Sequence, residues 1–157
     1  MNLDRLWQLS YNSPTIDILR NSKYGIPMIQ SVHLVGLTML LGVTVILNLR
    51  LLGIGMRRFS LPSLSAELWR WAKVGLLAMI VSGFFVFLPD PARYAANRSF
   101  QIKMIVLIAA IVYQFTVFKR AVQHEPAENR HSAWIAVCSL ILWFGVGWAG
   151  RGIAFLG

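Results

Sequence analysis

YGIPMIQSVHLVGLTMLLGVTVILNL, residues 24–49, carries no formally charged side chain. As a helix rising about 1.5 Å per residue, it is longer than the ~30 Å hydrocarbon core of a bilayer. In lipid a backbone must satisfy its own hydrogen bonds, which a helix does. The stretch therefore predicts a membrane-spanning helix from about residue 26 to 53, where Gly53-Ile54-Gly55 breaks it and Arg57-Arg58 follows.

Three further apolar runs extend the pattern. The second span is expected over 67–88, with an uncharged part from Val74 to Pro89. That part is short, and Trp69, Arg70, Trp71 and Lys73 before it suit an interfacial collar whose charged tips reach the headgroups. Pro89-Asp90-Pro91 ends it. The third span is expected over 101–118, ended by Lys119-Arg120, and the fourth over 132–155, with Trp134, Trp143, Trp148 and the late charge Arg151. Residues 1–25 are polar with scattered apolar side chains, and Ser13-Pro14 reads as a helix start, so this part is expected to lie at the interface. The expected fold is all-α: one integral membrane domain over residues 1–157, a four-helix bundle with an N-terminal interfacial helical segment.

Composition agrees. Hydrophobic residues make up 57% of the chain and charged ones 13%, about half the share usual in soluble domains. The net charge of +9 would suggest nucleic acid in a soluble protein. Here the basic residues flank the apolar runs and form no stripe, which fits anionic lipid headgroups and no nucleic acid. Cys138 is the single cysteine, so an intrachain disulfide is excluded. Gly75, Ala78 and Ser82 in the second span, and Gly145, Ala149 and Gly152 in the fourth, form small-residue stripes that admit close helix packing.

An antiparallel bundle gathers the start of span 1, the end of span 2, the start of span 3 and the end of span 4 on one side. Gln30, His33, Lys103 and Arg151 fall there. Gln30, His33, Thr44 and Asn48 also share one sector of the first helix. Ionisable residues within spans are rare and usually face a bundle interior or polar cavity. His33 is the one histidine expected in a span, and neutral imidazole is a common metal and haem ligand. Arg151 and Lys103 suit the two propionates of a haem. Met79 and Met104 are candidates for a second axial ligand, as is His33 of a second copy. Each of these residues also has a plainer reading, as a hydrogen-bonded core group or an interfacial anchor. The sequence has no Gly-rich phosphate loop, nucleophile elbow or HExxH pair.

Residues Ile29-Gln-Ser-Val-His33-Leu-Val-Gly-Leu, Asn48-Leu-Arg50-Leu-Leu-Gly53, Phe100-Gln-Ile-Lys103 and the stretch from Trp143 to Arg151 resemble an uncharacterised bacterial family of small four-helix membrane proteins. More distantly the chain resembles the membrane domain of the copper-resistance D family and the four-helix membrane protoporphyrinogen oxidase family. The first of these implies copper handling at the inner membrane. The second implies haem b bound through a first-helix histidine, here His33.

Three functions compete. The first is a small b-type cytochrome-like protein, with haem b on His33, engaged in electron transfer or in a redox reaction on a membrane-soluble substrate. The second is a copper-handling protein using His33 and nearby methionines. The third is a cofactor-free scaffold or subunit, in a homodimer or a larger membrane complex. Whether the chain is an enzyme stays open between them. The resemblance implies a bacterial inner membrane. The densest basic pairs flank the 1–2 and 3–4 loops, so the positive-inside rule puts both termini outside. Reporter fusions after Gly55 and after Arg93 are expected on opposite sides of the membrane; finding both on one side removes the four-span topology.

Overall fold

The computed structural model describes residue 18 and residues 21–56, 58–123 and 130–156, with side chains as far as Gly150. Most of the expected interfacial segment, including Ser13-Pro14, lies outside the described residues. Helix α1 spans Gly25–Leu51, α2 Leu61–Phe87, α3 Pro91–Ala96, α4 Arg98–Tyr113, α5 Lys119–Gln123 and α6 Arg130–Leu156. Between α4 and α5 the backbone widens into a π-helical turn over Gln114–Phe118 without leaving the helix. Four helical stretches are long and apolar enough to cross a membrane, and the third runs unbroken from Arg98 to Gln123.

Local chemistry sets the ends. Helix α1 stops where Gly53 adopts a φ of 72°, a left-handed conformation that glycine takes without steric cost. Helix α2 starts at Leu61, earlier than the expected 67. Ser60 caps it by accepting from the Ser63 amide at 3.4 Å, with proline in the first turn, where its missing N–H costs nothing. Asn97 caps α4 in the same way by accepting from the Phe100 amide at 3.2 Å. The expected end of span 3 at Lys119-Arg120 is corrected, because both residues are helical and the helix continues to Gln123. Lys and Arg are good helix formers, so a charge at headgroup depth marks the membrane surface and leaves the helix intact.

The spans pair as α1 with α2 and α4 with α6, and α1 against α6 joins the two pairs. The α1–α2 crossing is the tightest. A Cβ at Gly36 would lie 2.8 Å from the Gly75 carbonyl oxygen, and one at Gly75 would lie 2.7 Å from the Gly36 carbonyl oxygen. The two backbones therefore touch, as small residues allow in membrane helix pairs. Leu40, Leu47, Met79, Phe118 and Trp143 fill the core, whereas Leu77, Ile105 and Phe144 stand exposed at mid-helix positions suited to lipid.

Gly75→Ala is expected to push the pair apart and cost about 1–3 kcal/mol, read as a lower Tm in detergent. Gly42→Ala, where an added Cβ meets nothing within 4 Å, is expected to leave Tm unchanged or raise it, since alanine favours helix over glycine. Equal effects of the two changes would refute the crossing.

Candidate functional site

The crossing carries the first polar site. Two turns beyond Gly75 on α2 come Ser82 and Gly83, and His33 of α1 packs there, half-buried. Its Nδ1 lies 3.0 Å from the Ser82 hydroxyl. That hydroxyl has one hydrogen, which it donates to the Ala78 carbonyl at 2.5 Å. Towards His33 it can only accept, so Nδ1 carries the ring proton and Nε2 keeps its lone pair. No hydrogen bond to Nε2 occurs among the described residues. Gly83 makes the fit possible: a Cβ there would lie 3.2 Å from Cε1 of the ring.

Lys103 of α4 enters from the other helix pair. Its Nζ lies 3.6 Å from where a Gly150 Cβ would stand, and its charge acts on the His33 imidazole. The structure thus brings His33 and Lys103 towards one another at one end of the bundle. Helix α6 continues through position 151, but the Arg151 side chain lies outside the described residues. Gln30, one turn before His33, is exposed. Met79 is a core residue, 4% exposed, and Met104 is exposed on α4.

A second polar site lies nearer the other membrane surface. Asn48 donates from Nδ2 to the Thr44 carbonyl at 2.7 Å and to the Ser139 hydroxyl at 3.2 Å. Gln114, the first residue of the π-helical turn, accepts at Oε1 from Ser139 at 3.4 Å and from the Trp143 indole N–H at 3.2 Å. Thr44, Asn48, Gln114 and Ser139 are each at most 2% exposed. This network joins α1, α6 and the π-helical turn. Thr44 and Asn48 were legible as polar positions of α1, but Gln114 and Ser139 were not singled out. A glutamine in an apolar run beside a partner serine was the available signal.

Apolar helices with polar groups turned inward and apolar faces turned outward define a small four-span membrane protein. The chain belongs to a family of unknown function, DUF6644, whose model matches residues 21–156. No curated protein and no solved structure matches the chain. The expected likeness to the copper-resistance D and protoporphyrinogen oxidase families has no support in these comparisons.

The second network makes its own prediction. Trp143 is buried and Trp134 is 66% exposed. Trp143→Phe removes the indole donor to Gln114 and is expected to cost about 1 kcal/mol, seen as a lower Tm in detergent. Trp134→Phe is expected to leave Tm unchanged, and a reversed order would contradict the network.

Proposed function

We propose that this membrane protein binds haem b at His33 and serves electron transfer or a membrane redox reaction. The observation that carries the reading is the anchored imidazole. Ser82 holds Nδ1–H, which fixes the ring and leaves Nε2 with an open lone pair. Histidine ligands commonly donate their second ring nitrogen to a neighbouring acceptor, which sets tautomer and orientation. The Ser82 hydroxyl fills that role here.

The count of protein ligands favours haem over a bare metal ion. A porphyrin brings its own nitrogen donors and asks one imidazole of the protein. A copper ion held by protein alone needs several ligands. Among the described residues no group of three His, Cys, Asp or Glu side chains is placed to hold a metal ion. Lys103 is positioned to meet a carboxylate near His33, and Arg151 follows Gly150 on α6. When bound, the haem would supply one-electron redox chemistry. The chain would supply the axial nitrogen, cations for the propionates and an apolar surround. This reading has the protein in a bacterial cell membrane, with the loops that carry the Arg57-Arg58 and Lys119-Arg120 pairs inside.

Protein purified after expression with haem available is expected to show a Soret band. His33→Ala is expected to lose the band while keeping its helical circular dichroism. Ser82→Ala, which frees the ring to turn, is expected to retain haem more weakly. Colourless wild-type protein that fails to take up added haem would sink the proposal.

A further inference from the structure

At the opposite end of the molecule from His33, α2 and α5 enclose a cavity of about 240 Å³. Its lining includes Ser65, Trp69, Arg70 and Lys73 of α2, with Lys119 and Gln123 of α5. Three cations from two helices thus border one hollow. Arg70 is already neutralised on its own helix, with its guanidinium 2.9 Å from the Glu67 carboxylate. Neither Lys73 nor Lys119 makes an ion pair among the described residues. The hollow therefore has two uncompensated ammonium groups, a glutamine amide and an indole ring on its walls. Trp69 is held edge-on to Phe115 of the π-helical turn, with ring centroids 5.5 Å apart.

The surfaces below the two lysines describe the rest of the ligand. From Lys73 towards the membrane centre, Leu77, Ile80 and Phe84 follow at helical spacing, all exposed. From Lys119 in the same direction, Phe115, Val112 and Ile108 follow, also exposed. Helix α2 meets α5, whereas α2 and α4 hardly touch. A cationic hollow at headgroup depth thus opens onto two apolar tracks. Basic pockets between membrane helices take anionic lipid headgroups. Inorganic phosphate satisfies the lysines but leaves the tracks without an occupant.

We infer that the cavity between α2 and α5 is a binding site for one anionic phospholipid, with its phosphate between Lys73 and Lys119 and its acyl chains along α2 and α4. The assignment is independent of haem binding, because none of its residues touches His33 or Lys103. Glutamine at each lysine removes charge while keeping much of the side chain, so it isolates the electrostatic part.

The test uses the full-length protein, delipidated in neutral detergent and titrated with phosphatidylglycerol or phosphatidylcholine, with bound lipid counted by native mass spectrometry. Wild type is expected to retain one phosphatidylglycerol in preference to phosphatidylcholine. The Lys73→Gln/Lys119→Gln variant is expected to bind phosphatidylglycerol roughly thirtyfold more weakly, at about 1 kcal/mol per lysine. The Lys23→Gln/Arg93→Gln variant, altered at the other membrane surface, is expected to match wild type. Circular dichroism verifies that both variants remain helical. Equal retention of the two lipids by wild type overturns the site, as does unchanged preference in the Lys73/Lys119 variant. Displacement of the lipid by millimolar inorganic phosphate overturns its assignment to phospholipid.

Discussion

The backbone contact between Gly36 and Gly75 is the constraint from which the site geometry follows. In a bilayer the hydrophobic effect gives helices little reason to associate, since lipid tails are as apolar as leucine. Association then rests on close van der Waals packing and on polar bonds. Two glycines facing each other let α1 and α2 approach until main-chain atoms meet. That approach sets the separation at which His33, two to three residues earlier on α1, reaches Ser82 and lies over Gly83. A wider crossing would leave the imidazole in lipid without its acceptor.

The remaining helices are tied in by polar bonds at another depth. Asn48, Gln114, Ser139 and Trp143 link α1, α6 and the third span through side chains that are almost fully buried. Such bonds are individually modest in membranes but directional. They fix which helix faces meet, a task that apolar packing against lipid-like surfaces performs poorly. The bundle therefore has a steric clasp between α1 and α2 and a hydrogen-bonded clasp between α1, α6 and the π-helical turn. The polar site at His33 lies near the first and the lipid cavity near the second.

The four spans were legible because long uncharged runs have few other uses, and the structure contains all four. The inward direction of Thr44 and Asn48 was legible too, since helical spacing alone sets which residues share a face of α1. The same reasoning placed Gln30 with them, yet Gln30 is exposed. It lies in the first turns of α1, where polar headgroups, and not a neighbouring helix, can serve a polar side chain. The start of α2 was read late because Leu61-Pro62-Ser63 looks like a loop, although Ser60 and an early proline are helix-start chemistry. Span 3 was read short because Lys119-Arg120 marks the membrane surface, which is a different boundary from the end of a helix. The Gly36–Gly75 meeting and the α2–α5 cavity join residues far apart in the chain. One sequence without its fold holds no register between such pairs.

The π-helical turn at Gln114–Phe118 amounts to one residue more than an α-helix would use over the same length. Everything after it is rotated by about 100° relative to an uninterrupted α-helix. That rotation lets Gln114 and Phe118 both point into the bundle while Phe115 meets Trp69 and Lys119 reaches the cavity. Loss of a single residue from this turn would restore regular α-helix yet swing Lys119 and Gln123 away from α2. Chain length within the third span is thus under tighter constraint than its composition. A relative with any apolar residue at Val117 can keep the same architecture, whereas one shorter by a residue here must rebuild the junction of α2 and α5.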